Sequence, residues 1–153
     1  MQKRLILFAS IFAFLLLINI SCSKNDDSTP KAKTKTELIT LSPWKFNKAT
    51  ASGAGDISTN PLLTCYTDNI LAFSSNLSGT INEGTVVCTT PAPASFTWSF
   101  QNSETLLRLS FTLFPGGSPD FTIVSLSETS LVLSQQMTLA PYPTTTIEVT
   151  FKH

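Results

Sequence analysis

Apolar and polar side chains alternate along most of the chain after residue 37, as they do in strands that bury one face of a sheet. The alternation is most regular in the segments 96–101, 107–113 and 147–152. No window keeps the 3.6-residue apolar period of a helix over three turns. The body of the protein is therefore predicted to be all-β.

Five further segments show a weaker strand pattern, and turn-forming residues separate all eight segments. The five are 44–49, 69–74, 79–85, 121–126 and 130–137. Eight strands joined by short turns predict sequential antiparallel hairpins. Closing such a meander removes its edge strands, so an eight-stranded antiparallel up-and-down barrel is the predicted fold, with a two-sheet β-sandwich as the alternative. In the long connection 50–68, a helical turn over 60–65 is predicted to cover one barrel end.

The first 21 residues have the features of a secretory signal peptide, since Lys3 and Arg4 precede the apolar run 5–18. This run is shorter than the roughly 20 residues that a transmembrane helix needs. The ending at Cys22 resembles the lipobox of bacterial lipoproteins, although Asn19 stands where that motif prefers leucine. The resemblance implies cleavage before Cys22, its acylation and attachment to a membrane. An ordinary signal peptide followed by an unmodified cysteine is the alternative.

Residues 22–36 are predicted to form the lipidated cysteine and a flexible tether, ahead of a domain that covers 37–153. The part 24–36 has no aromatic or β-branched aliphatic residue, so it cannot bury enough apolar surface to order itself. The residues at 23–27, SKNDD, resemble the export signal of Bacteroidota surface lipoproteins. That resemblance implies an outer-membrane lipoprotein, on the cell surface or on the periplasmic face.

Two further cysteines, Cys65 and Cys88, lie on opposite sides of a predicted turn at 76–79. Hairpin geometry places them opposite one another to within about two residues. In the oxidising compartment that a signal peptide implies, an even pair predicts a disulfide, with two free thiols as the alternative. Closure of this loop contributes on the order of 3 kcal/mol.

Charge and composition exclude several classes of function. From residue 37 onward the chain has 4 basic residues against 8 acidic ones, so no nucleic acid partner is expected. The sole histidine is His153, which argues against histidine triads, histidine-activated thiols and multi-histidine metal sites. The carboxylates are dispersed along the chain. We therefore expect a protein that is not an enzyme and that holds no metal or cofactor.

Short motifs in a fixed order resemble the lipocalin-like domain of Bacteroidota lipoproteins over residues 38–152. They are Leu41-Ser42-Pro43-Trp44-Lys45-Phe46, Cys65, Asp68-Asn69, Phe73, Gly79-Thr80, Cys88, Trp98-Ser99-Phe100, Leu107-Arg108-Leu109, Phe121-Thr122-Ile123-Val124-Ser125-Leu126, Leu131-Val132-Leu133 and Glu148-Val149-Thr150-Phe151. In lipocalins a Gly-x-Trp motif places the tryptophan at the closed base of the barrel, beneath a basic residue of a late strand. The resemblance implies this place for Trp44, although Ser42-Pro43 replaces the glycine pattern. It makes Lys152 the candidate basic partner.

Aromatic residues of the predicted strands are the candidate ligand-binding residues. They are Phe96, Trp98, Phe100, Phe111 and Phe121. An eight-stranded barrel is just wide enough either to be filled by side chains or to hold one small ligand. The many leucines and phenylalanines on the strands favour a filled interior.

Two functions follow from these predictions. The first, which the lipocalin resemblance implies, is a membrane-anchored barrel that binds a small hydrophobic ligand or a glycan fragment at its open end. The alternative is a non-catalytic structural or interaction module of a cell-surface protein complex, with the Pro-rich loops 89–95 and 139–146 as recognition surfaces. A hydrolase has only the scattered carboxylates in its support.

Overall fold

The computed structural model describes residues 31–153, within which Ala32–His153 forms a compact unit. The described residues contain one short α-helix, one 3₁₀ turn and nine strands. Their bounds are α1 Lys35–Ile39, β1 Trp44–Ala51, β2 Gly55–Asp56, the 3₁₀ turn Thr64–Tyr66, β3 Ile70–Phe73, β4 Ser78–Asn82, β5 Ser95–Gln101, β6 Leu106–Leu109, β7 Asp120–Leu126, β8 Ser130–Met137 and β9 Thr145–Lys152. In this part of the chain, no helix is both long enough and apolar enough to span a membrane.

Eight of the strands close into a barrel. All neighbouring strands are antiparallel, in the order β1-β3-β4-β5-β6-β7-β8-β9, and β9 pairs back onto β1 from Ala51↔Ile147 to Lys45↔Lys152. The two-residue strand β2 pairs only with the end of β1. The predicted eight-stranded up-and-down barrel is confirmed, and the β1–β9 pairing rules out the sandwich.

Two strands end earlier than the alternation predicts. β4 stops at Asn82 instead of continuing to residue 85, and β6 stops at Leu109. Phe111 and Leu113 therefore belong to the loop after β6, where they still face apolar neighbours. The polar–apolar pattern continues beyond the strand because the loop folds over the end of the barrel and buries alternate residues there.

One end of the barrel, here called the helix end, carries α1 and the hairpin turns 74–77, 102–105 and 127–129. Thr34 and Glu37 form a capping box at the start of α1, which begins two residues before the predicted domain boundary. The Trp44 indole Nε1 donates a hydrogen bond to the Ile39 carbonyl (2.8 Å). This bond holds the end of the helix against the first strand of the barrel.

At the base of the barrel, the residue that covers Trp44 is not the predicted Lys152. Lys152 is exposed on the outer face, where it lies opposite Lys45 in the register of β1 and β9. Its neighbour His153 lies against the buried Trp44 instead, with ring centroids 3.9 Å apart, and its Nδ1 is 2.9 Å from the Pro43 carbonyl oxygen. Because Phe151 points inward, strand alternation turns Lys152 outward and leaves the next residue to cover the tryptophan.

Apolar side chains fill the interior of the barrel. Those that face inward from the strands range in exposure from 0% for Trp44 and Leu107 to 7% for Ile81, and they form one connected cluster. An empty cavity of ligand size would leave its lining exposed, so this barrel is packed. The packing is tight at Gly79, where a Cβ atom would lie 2.3 Å from the Phe96 ring.

The opposite end, here called the loop end, comprises the segments 57–69, 83–94, 110–119 and 138–144. Apolar residues from three of these loops plug the barrel mouth. The plug residues, at most 3% exposed, are Ile57, Leu63, Leu113, Phe114 and Leu139. They join the same apolar cluster as the strands, so the end at which a lipocalin calyx opens is closed here.

Candidate functional site

Four of the five candidate aromatic residues lie in one cluster near the wall between β5 and β6. Phe96 contacts Phe111 (ring centroids 5.5 Å apart), and Trp98 contacts Phe100 (5.3 Å). Phe73, which the prediction omitted, bridges Phe96 and Trp98 at 5.5 and 5.6 Å. These edge-on and tilted contacts are typical of aromatic packing in a protein core.

The fifth residue, Phe121, belongs to a second chain of rings beneath the loop end. Phe114 contacts Phe121 (centroids 6.3 Å apart) on its inner side and Tyr66 (5.1 Å) on its outer side. Phe114 therefore connects the barrel interior to the surface of the loop end. Its role is not visible in the sequence, because it lies in a loop outside any strand.

The disulfide between Cys65 and Cys88 is confirmed, with a Cα–Cα distance of 5.1 Å. It joins the 3₁₀ turn to the loop 83–94, two segments that both belong to the loop end. The bond lies beside Tyr66 and Leu62, so it fixes the wall of a surface cleft as well as linking two distant parts of the chain.

A carboxylate holds the same two segments together. Asp68 Oδ2 accepts hydrogen bonds from the N–H groups of Thr85 (2.7 Å) and Val86 (3.0 Å) and from the Thr85 hydroxyl (3.1 Å). These bonds, with the Thr85 N–H contributing most, hold the pKa of Asp68 below its usual range. Gly84, at φ +66°, lets the loop turn tightly against Asp68. The carboxylate thus acts as a loop anchor.

An apolar cleft of about 400 Å³ opens at the loop end, between the loops 83–94 and 110–119. Tyr66 and Phe111 provide aromatic surface to this loop-end cleft. Its other lining residues are Thr90, Pro91, Ala92, Pro93, Thr112, Leu113, Phe114 and Pro115. A smaller cleft of about 210 Å³ adjoins it beside the disulfide and shares Tyr66, Thr90 and Pro115 with it. Of the five predicted ligand-binding residues, only Phe111 lines the loop-end cleft.

Hydrogen bonds between side chains and backbone groups hold the loops of this end in place. Glu83 Oε1 accepts a hydrogen bond from the Ala92 N–H (2.8 Å), which fixes the Pro-rich loop. Asn60 Nδ2 donates to the Ala140 carbonyl (2.9 Å), which ties two further loops of this end together. Burial raises the pKa of the Tyr66 hydroxyl, and the negative charge of Glu83 raises it further. Tyr66 is therefore a neutral hydrogen-bond donor at physiological pH.

A third cleft, of about 460 Å³, lies on the outer wall between Leu77 and Arg108. Strand residues with outward-facing hydroxyls, among them Thr97 and Ser99, form its floor. Arg108 is already paired with Asp120 (3.6 Å). The outer-wall cleft thus lies on the outer face of the strands, with its one charged side chain already in an ion pair, whereas the loop-end cleft lies between two loops and combines apolar with aromatic surfaces as small-molecule sites do.

One predicted site, the lipidation site, is outside the part of the chain that the structure describes. Cys22 lies outside the described residues 31–153. Within those residues, no group of three or more histidine, cysteine, aspartate or glutamate side chains is placed to hold a metal ion.

Comparison with known proteins agrees with the geometry of the fold. Residues 43–133 match the lipocalin-like domain family, and this match runs from the start of the barrel into β8. A search of curated proteins finds no significant match. The matched region covers more than half of the chain and includes Trp44 and both cysteines of the disulfide. The chain therefore belongs to the lipocalin-like domain family.

Proposed function

We propose that this protein is a lipid-anchored, non-catalytic binding protein that takes a small hydrophobic molecule in its loop-end cleft. A lipocalin-like barrel suggests ligand binding, and the observation that carries the proposal is the apolar, aromatic cleft at the end of a filled barrel. The mostly apolar lining favours a hydrophobic molecule over a glycan fragment.

The location of the cleft fits the proposal better than the barrel interior does. Trp98 and Phe96 are packed among other side chains and would have to move to admit a ligand. Tyr66 and Phe111 present their surfaces without such a rearrangement. Non-catalytic action is supported by the two loop-end carboxylates, since those of Asp68 and Glu83 bind backbone N–H groups of the loops.

Filling the loop-end cleft is expected to abolish binding of a neutral apolar probe. The test measures N-phenyl-1-naphthylamine fluorescence with the compact unit, residues 32–153, carrying Ala92→Trp. Because Ala92 lines the cleft, the indole would occupy the ligand's space, and we expect the affinity to fall by about tenfold or more.

Ala94→Trp is the matched control, because Ala94 is exposed on the same loop and does not line the cleft. Thermal unfolding of both variants shows whether each remains folded. The proposal fails if the unsubstituted protein does not bind the probe, or if both variants lose the same affinity.

The anchor is proposed from the sequence around Cys22. The described chain enters the barrel at the helix end, where Lys33 pairs with Glu128 (3.0 Å).

Acylation is tested by metabolic labelling of cells with an alkyne-tagged fatty acid. The full-length protein is expected to carry the label in the outer-membrane fraction, and Cys22→Ser is expected to lose it, because the thiol is the acceptor. Cys65→Ser is the control and should keep the label. Retention of the label by Cys22→Ser would show that Cys22 is not the site.

A surface protein is the second candidate partner. Leu62, Val86 and Val87 project from the loop end beside the disulfide and are 44–58% exposed. Adjacent exposed apolar side chains are typical of protein contact surfaces. This interaction would use the rim rather than the cleft, so Ala92→Trp would leave it intact.

A further inference from the structure

Positive charge is absent from the whole loop end. The four segments 57–69, 83–94, 110–119 and 138–144 contain no lysine or arginine. The basic residues of the described chain lie in α1 and its flanking segment or on the strands of the barrel wall. Those on the strands are Lys45, Lys48, Arg108 and Lys152.

Negative charge at the loop end is limited to two carboxylates that lie outside the lining of the loop-end cleft. The loop segments carry two carboxylates, Asp68 and Glu83, and neither belongs to the cleft lining. Asp68 Oδ2 accepts three hydrogen bonds from Thr85 and Val86, and Glu83 Oε1 accepts one from Ala92. The cleft therefore presents aromatic, prolyl and hydroxyl groups without a charged partner for a ligand.

We infer that the loop-end cleft selects uncharged apolar ligands and rejects anionic ones such as carboxylates and sulfonates. A charged group that loses water without gaining a partner raises the free energy of the complex steeply, whereas a neutral hydroxyl or amide loses far less. Glu83, close enough to raise the pKa of Tyr66, adds repulsion toward an anion. This inference rests on the proposed function and specifies the ligand class of the same site.

Two probes that share one skeleton test the inference. N-phenyl-1-naphthylamine is neutral, and 8-anilinonaphthalene-1-sulfonate is the same molecule with one sulfonate added. Titrated against the compact unit, the neutral probe is expected to bind tighter by about tenfold or more. Equal affinities would overturn the inference and leave the proposed binding function standing. Binding of neither probe would overturn both.

A variant with a positive charge in the cleft tests whether the protein, and not a difference in solubility between the two probes, sets the ratio of their affinities. Thr90 is exposed and lines both the loop-end cleft and the smaller cleft beside the disulfide. Thr90→Lys is expected to raise the affinity for the sulfonate, relative to that for the neutral probe, about threefold or more, the order expected of an exposed ion pair. The gain should disappear in 1 M salt, where the Debye length is about 3 Å.

Two control variants test whether the charge in the cleft causes the increase in affinity for the sulfonate. Thr90→Gln changes size without charge and should preserve the original ratio of affinities. Thr129→Lys adds the same charge at the helix end, where Thr129 is exposed, and should also preserve it. If Thr90→Lys changes nothing, or if Thr129→Lys produces the same gain, charge in the cleft does not control selection and the inference is wrong.

Discussion

Phe114→Ala is expected to lower the free energy of unfolding by about 3–5 kcal/mol. Phe114 is 1% exposed and links Phe121 in the barrel interior to Tyr66 at the surface. Removing its ring deletes buried apolar contacts and leaves a cavity that the disulfide-linked loops around it cannot readily close. Urea unfolding followed by tryptophan fluorescence measures the change, because both tryptophans are buried in the native barrel.

A second measurement identifies the cavity itself. Benzene should raise the unfolding midpoint of Phe114→Ala and leave that of the unsubstituted protein unchanged, since a ligand that binds only the native state stabilises it. Leu62→Ala is the control at the same end, because Leu62 is 44% exposed and should cost less than about 1 kcal/mol. A loss of similar size for both variants would contradict the role of Phe114 as the plug of the barrel.

Removal of the Cys65–Cys88 disulfide is expected to lower the free energy of unfolding by about 3 kcal/mol. The two cysteines are 23 positions apart, and their bond restricts the unfolded chain over that loop. The double variant Cys65→Ser/Cys88→Ser should still fold, because the barrel core is built from other side chains. Urea unfolding of the variant and of the oxidised protein gives the difference.

Dithiothreitol provides the matched control for the disulfide. It should destabilise the unsubstituted protein by the same amount and leave the double variant unchanged. The loop-end cleft should also bind N-phenyl-1-naphthylamine more weakly in the variant, because the bond fixes the segment that carries Tyr66. Equal stability of the reduced and oxidised proteins would show that Asp68 and its hydrogen bonds suffice to hold the two segments.

The sequence alone predicted eight strands, their antiparallel order and the disulfide, although β4 and β6 end earlier than the pattern indicates. Strand positions were predictable because each strand buries one face, which imposes a two-residue period that local composition reveals. The disulfide was predictable because Cys65 and Cys88 are nearly equidistant from one hairpin turn. The lipid anchor at Cys22 remains a prediction, since it lies outside the described residues.

The tertiary structure alone decided what the aromatic residues do. Alternation shows which face a side chain occupies, but not whether the space behind that face is empty or filled. Phe96 and Trp98 were candidates for binding and are core residues, whereas Phe111 reaches the loop-end cleft only because β6 ends at Leu109. Likewise, Lys152 faces outward and His153 covers Trp44, because β9 continues its alternation to the last pair.

The closed barrel mouth shows why the sequence predicts the strands but not the location of the binding surface. The plug combines Ile57, Leu63, Leu113, Phe114 and Leu139, which come from three loops that are remote from one another in sequence and have no regular period. Their burial depends on how these three loops pack against one another and against the strand ends. Local patterns therefore determine the barrel wall, while the location of the binding surface depends on contacts between remote segments that exist only after folding.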